Sequence, residues 1–218
     1  MDGGLFVDRA EAGARLADAL PPVVGPDALI LAIPRGGVEV GAGIADILGL
    51  ELDVVIPRKV GAPGNPELGL GAVAEGIEVL DARLIGMLGV GEDYLRAEIE
   101  AQQAEIARRA AAYRGDRAPS SPAARDAVVV DDGVATGGTA VAALRWARSR
   151  QASRVVLAVP VAPRESLPRL RAEADELVVL ATPEPFYAVG QWYRDFPQVP
   201  DARVVELLSS HRGPGSAT

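Results

Sequence analysis

The residues most able to do chemistry form one string, Ala127-Val128-Val129-Val130-Asp131-Asp132-Gly133-Val134-Ala135-Thr136-Gly137-Gly138-Thr139. Four apolar residues deliver two adjacent carboxylates, and a stretch of small residues leads on to a helical pattern. Glycines let successive backbone N–H groups turn toward one point, and a helix start adds partial positive charge there. Thr136 and Thr139 add hydroxyl donors. Such a loop suits a phosphate monoester. It is not a nucleotide P-loop, because Gly138 and Thr139 stand where that motif needs Gly-Lys-Ser/Thr. Two carboxylates repel phosphate, but they bind a diol, or Mg2+ through water. Taken singly, the acidic pair reads as a turn and the Thr/Gly stretch as a helix cap. Together they describe a ribose 5-phosphate site.

Two basic stretches have the complementary chemistry. In Ile33-Pro34-Arg35-Gly36-Gly37 the glycines permit close backbone approach to a ligand, and Arg35 offers a fork of donors. Pro57-Arg58-Lys59 precedes Gly61-Ala62-Pro63-Gly64-Asn65-Pro66-Glu67, which reads as an irregular, lid-like loop through Gly71. Of the 22 basic residues, Lys59 is the sole lysine, so it marks a place where arginine was not used. Glu75 is the one charge in an apolar stretch. Gly69 to Ala74 imitates a dinucleotide fingerprint, but a turn and strand follow it where a helix is required.

These residues need elements to hold them. Apolar runs predict strands over 28–33, 52–56, 72–80 (with a turn near Gly76), 127–130, 155–161 and 177–180. Helical patterns cover 37–48, 93–113 and 138–149, and 114–125 reads as a Pro/Ser linker. Runs such as Val128-Val129-Val130 lack alternation, which predicts strands covered on both faces. The expected fold is α/β: a doubly wound, mostly parallel sheet with flanking helices. Ligands then bind beyond the strand ends, where the three stretches above fall.

Composition removes whole classes of function. The 218 residues hold no cysteine and one histidine, His211, so disulfides, thiolate nucleophiles, Cys-zinc sites and a Ser-His-Asp triad are excluded or nearly so. A net charge of −8 argues against a nucleic-acid partner. Neither a membrane span nor a signal peptide is visible, so the expectation is a cytoplasmic protein without membrane partners. The segment 211–218 is expected to fray, with a disordered tail over 213–218.

The Asp131–Thr139 string resembles the phosphoribosyl diphosphate (PRPP) signature of type I phosphoribosyltransferases. The resemblance implies that Asp131 and Asp132 hold the ribose 2- and 3-hydroxyls and an Mg2+ ion indirectly. It implies that Ala135, Thr136, Gly137, Gly138 and Thr139 cradle the 5-phosphate. Arg35, Gly36 and Gly37 match the family's pyrophosphate loop, and Arg58 and Lys59 match a basic pair that neutralises pyrophosphate. Glu75 is similar in spacing to a purine-side glutamate of adenine phosphoribosyltransferases, and equally reads as a turn carboxylate facing solvent. The family carries a small hood above its sheet, here expected from 1–20 and 183–212 around a core of about 25–182, the whole being one domain over 1–212.

Five of the nine aromatics lie between Phe186 and Phe196, so Phe186, Tyr187 and Trp192 are candidate acceptor contacts. The same aromatics equally read as the core of the hood. Ala135 stands where 6-oxopurine enzymes carry a carboxylate, which argues against that branch. The Arg58–Glu67 stretch and the segment Phe186-Tyr187-Ala188-Val189-Gly190 resemble unassigned bacterial members of the family. The implied activity is transfer of ribose 5-phosphate from PRPP to a small-molecule acceptor, a nucleobase or another compound. The alternative is a PRPP- or nucleotide-sensing protein of the same fold. Homodimers are common in the family.

Overall fold

The computed structural model describes residues 4–211. In chain order the elements are α1 (Arg9–Ala19), β1 (Leu29–Ala32), α2 (Gly36–Leu48), β2 (Glu51–Val54), β3 (Arg58–Ala62), β4 (Asn65–Ala74), β5 (Ile77–Leu80), α3 (Ala82–Leu88), α4 (Glu92–Arg114), β6 (Asp126–Val130), α5 (Gly138–Ser149), β7 (Arg154–Val161), α6 (Leu167–Arg171), β8 (Glu176–Ala181) and α7 (Asp201–Ser210). Five strands pair in the order β2-β1-β6-β7-β8, all parallel. The architecture is therefore the α/β sheet with flanking helices that the non-alternating runs predict.

Both faces of the sheet are covered, and strand periodicity divides the side chains between them. Ile30, Ala32, Val128, Val130, Val156 and Ala158 pack in one cluster with Leu16 of α1, Ile44 of α2, Ile106 of α4 and Val204 of α7. Leu29, Leu31, Ala127, Val129, Val155 and Leu157 pack on the opposite side against Ala140 and Leu144 of α5. These side chains are essentially inaccessible to water, and each large one contributes roughly 1.5–3 kcal/mol by burial.

The stretch 61–71 differs from its expected irregularity. It belongs to an antiparallel sheet in the order β3-β4-β5. Pro63 and Gly64 (φ +73°) occupy the bend between paired Ala62 and Asn65, the residue types of a type II turn. The register shifts at Gly61 absorb the remaining glycine and proline. The hairpin is stitched to α4: the Tyr94 hydroxyl donates to the Gly61 carbonyl at 3.1 Å and Gln103 Nε2 to the Ala74 carbonyl at 2.9 Å.

The edge strand β2 is closed by the end of α4. Buried Arg114 donates to both Asp53 oxygens and to the Val54 carbonyl. Ser120 N–H adds a 2.7 Å bond to Asp53.

Helices α1, α3, α6 and α7 have no counterpart among the expected elements. In α1 the apolar stripe is carried mainly by Ala12, Leu16 and Ala17, a weak signal among charged residues. Both α1 and α7 pack into the main core. A small cap packs on the end of β7. It forms where Phe6 pairs with Tyr193 and Val7 accepts from Asp195 N–H at 2.9 Å. His211 is packed, its Nδ1 2.8 Å from the Leu207 carbonyl and its Nε2 2.8 Å from Asp46, so fraying does not begin there. Residues 212–218, including the expected disordered tail, lie outside the described residues. No helix among the described residues is long and apolar enough to cross a membrane.

Candidate active site

Strand register creates the site. Ala32 of β1 is paired with Val130 of β6, so the loops that follow them emerge side by side. Asp131-Asp132 leaves one strand and Arg35-Gly36-Gly37 the other. The fit is tight enough to require glycine. A Cβ on Gly36 would fall 1.8 Å from Asp132 Oδ2, and one on Gly37 would fall 2.8 Å from the Val130 carbonyl oxygen. The Pro34–Arg35 peptide is cis. Arg35 is about two-fifths exposed, and its guanidinium lies 3.8 Å from Asp201 at the start of α7.

After the acidic pair, Val134 N–H anchors the loop to the Val161 carbonyl of β7 at 2.9 Å. Gly137 adopts the left-handed conformation (φ +81°) and opens α5 with no side-chain cap. The first helical bond runs from Val141 N–H to the Gly137 carbonyl. Among the described residues, no backbone N–H from Ala135 to Ala140 donates to a protein acceptor. Ala135 and Thr136 are exposed. The helix start therefore presents a row of free donors and the positive end of its dipole, as an anion requires.

The two carboxylates sit at the back of this space. Asp131 Oδ1 accepts the Asp132 N–H at 2.8 Å. Asp132 Oδ2 accepts from Arg9 Nε at 2.8 Å. Protein surrounds the pair closely, and burial pushes both carboxyls up from their ordinary range. The neighbouring Asp132 charge adds to the rise at Asp131, whereas Arg9 opposes it at Asp132. The Tyr193 hydroxyl donates to the Asp132 carbonyl, and burial, then the acidic pair, raises its own ionisation.

Arg58 and Lys59 do not end the second strand, as the apolar pattern implies; they open β3. Alternation then sends them to opposite faces of the hairpin. Arg58 faces α4, where its Nε donates to Gln102 at 2.9 Å. Burial, then the nearby Arg109 charge, lowers its pKa. Lys59 is exposed and pairs in register with Ala72, whose side chain packs on the α5 side. Among the described residues Lys59 makes no ion pair.

The structure does not bring Glu75 to the carboxylates. It bonds Arg150 at 3.1 Å, just beyond the far end of α5. The 12 residues of that helix separate it from the loop by about 18 Å.

The cap meets the site through residues 189–193. A Cβ on Gly133 would fall 2.5 Å from Val189 Cγ1, and Tyr193 is bonded to Asp132. Phe186 and Trp192 are half-buried with ring centroids 6.0 Å apart, and Tyr187 is 84% exposed. Phe6, Tyr193 and Phe196 fill the cap interior. Phe186 and Trp192 pack against the same cluster, and Tyr187 stands outside it. The functional candidates absent from the expectations are Arg9 and Tyr193. Arg9 is one of 21 arginines, and nothing local in sequence distinguishes it.

The family model described as "Phosphoribosyl transferase domain" matches residues 24–187. The chain belongs to this phosphoribosyl transferase family. A Mycobacterium tuberculosis protein named "Putative phosphoribosyl transferase" is 43% identical over 210 residues, covering 95% of this chain and 47% of that protein. The chain thus spans about half the length of the curated relatives it matches. The TT1426 protein of Thermus thermophilus, known from a crystal structure, is 45% identical with a TM-score of 0.81, over 95% of this chain and 99% of that one. The two chains share one α/β fold.

Proposed function

We propose that the chain transfers ribose 5-phosphate from PRPP to a small-molecule acceptor and releases pyrophosphate. The observation that carries this reading is the carboxylate pair beside an uncapped α5 start, with the Arg35-Gly36-Gly37 loop pressed against it. The free N–H groups and Thr136 and Thr139 take the 5-phosphate. Asp131 and Asp132 take the ribose hydroxyls. Arg35 and Lys59 neutralise the pyrophosphate, Lys59 being exposed and unpaired among the described residues, whereas Arg58 is held on the other face of the hairpin by Gln102.

No three carboxylate or imidazole groups converge on a metal position among the described residues. The hard oxygens of Asp131 and Asp132 still fit Mg2+ held largely by water and substrate, as that ion is commonly bound. There it would neutralise charge on the leaving pyrophosphate. The acceptor nitrogen attacks the anomeric carbon with inversion as the C–O bond to pyrophosphate breaks. No protein nucleophile is required, in keeping with a chain that lacks cysteine. The acceptor is held by the cap, with Phe186, Tyr187 and Trp192 as its candidate contacts and a nucleobase as one candidate. Glu75 has no role in this reading.

Calorimetric titration with PRPP and Mg2+, followed by pyrophosphate release from labelled PRPP with a nucleobase panel, tests the proposal. A cell extract incubated with PRPP and protein, read by mass spectrometry for new ribose 5-phosphate adducts, extends the search to other acceptors. Failure to bind PRPP overturns the reading. Tight binding without transfer to any acceptor leaves the sensor reading in its place.

A further inference from the structure

We propose that Arg9 is a positioning residue that ties the cap to the ribose end of the site. The inference rests on the donor-site reading above. Arg9 is the first residue of α1 and is only 5% exposed, an unusual state for an arginine. Its guanidinium is engaged through Nε, Nη1 and one flat face. Nε holds Asp132 Oδ2 at 2.8 Å, and Nη1 donates to the Pro197 carbonyl at 2.8 Å and lies 3.6 Å from Glu39. Its flat face lies over the Phe196 ring at 3.8 Å.

Phe196 stacks on Tyr193 at 4.8 Å, and the Tyr193 hydroxyl bonds the carbonyl of the same Asp132. A closed circuit results: Asp132 side chain, Arg9, Phe196, Tyr193, Asp132 backbone. One carboxylate is therefore fixed through both side chain and main chain by groups of the cap. A planar fork with five donors meets these demands together, whereas an ammonium offers no flat face and no fork. Asp132 already crowds Gly36, so a small rotation of that carboxylate also disturbs the Arg35 loop. Arg9 thereby sets the direction in which Asp132 offers its oxygens to a diol.

The test uses Arg9→Met and Arg9→Lys, measured by calorimetry at fixed Mg2+ with three ligands: PRPP, ribose 5-phosphate and inorganic pyrophosphate. Both variants are expected to lose about tenfold or more in affinity for the two diol ligands, the scale of one charge-assisted hydrogen bond. Pyrophosphate binding stays unchanged. Full rescue by Arg9→Lys overturns the proposal, because charge alone would then suffice. An equal loss for all three ligands overturns it as well, because that is general damage to the fold. Phe196→Leu leaves Arg9 and Asp132 intact and tests the circuit from the cap. A diol-selective loss of about threefold or more is expected, the scale of a cation–π contact; no loss overturns the coupling. If the unaltered protein binds no PRPP, the donor-site reading itself falls and this inference with it.

Discussion

The Ala135–Thr139 loop and the cap reach the same carboxylate pair by opposite means. The loop is continuous with Asp131 and Asp132, and its chemistry is backbone chemistry: a strand end, a left-handed Gly137 and the uncapped start of α5. The cap comes from the two ends of the described chain, and it works through side chains: Arg9, Tyr193 and Phe196. A backbone site follows once strand register is set, so its residues stand next to one another in sequence. A side-chain site exists only after distant segments have packed. The loop half of the site is accordingly fixed by the sheet, and the cap half by contacts between distant segments.

The strongest blow to the loop side is Gly36→Ala. With a Cβ 1.8 Å from Asp132 Oδ2, either the carboxylate or the backbone must move. We expect PRPP affinity to fall about a hundredfold or more, as the loss of a hydrogen-bonded pair of groups implies, read by calorimetry. Lys59→Ala separates binding from chemistry. Pyrophosphate release should fall about a hundredfold while PRPP affinity changes little, the range for removing one group that stabilises developing charge.

Asp131→Asn tests what the buried pair costs the fold. A carboxyl whose folded pKa is raised binds its proton more tightly in the native state. Its penalty is absent below the unfolded value, grows as pH rises from there to the raised folded value, and is constant above that. Asp131→Asn should therefore raise the melting temperature at neutral pH by a few degrees, the shift about 1 kcal/mol gives a chain of this size. The gain should shrink as the buffer is acidified, while diol binding is lost at every pH. Tyr187→Ala is the mildest change. At 84% exposure it should leave stability within about 0.5 kcal/mol and affect only acceptor use, measured by comparing melting with transfer.

The five sheet strands, α2, α4 and α5 were legible because apolar runs and helical periodicity report burial directly. The Asp131–Thr139 string was legible because its residues are adjacent in the chain. The hairpin was not, since its glycines and prolines mark irregular chain until antiparallel partners absorb them at Gly61 and Gly64. Arg58 and Lys59 read as neighbours, yet strand alternation parts them. Arg9 and Tyr193 stayed invisible for the reason the cap differs from the loop: their partners lie more than a hundred residues away or, for Tyr193, sixty-one.

Arg114 carries one more consequence. A bare outer strand is a template on which a foreign strand can add, and that route leads to aggregation. By taking the outward Val54 carbonyl, with Asp53 as its buried counter-charge, Arg114 spoils the template at β2. Strand-by-strand growth from that side would first have to expel an arginine from the protein interior.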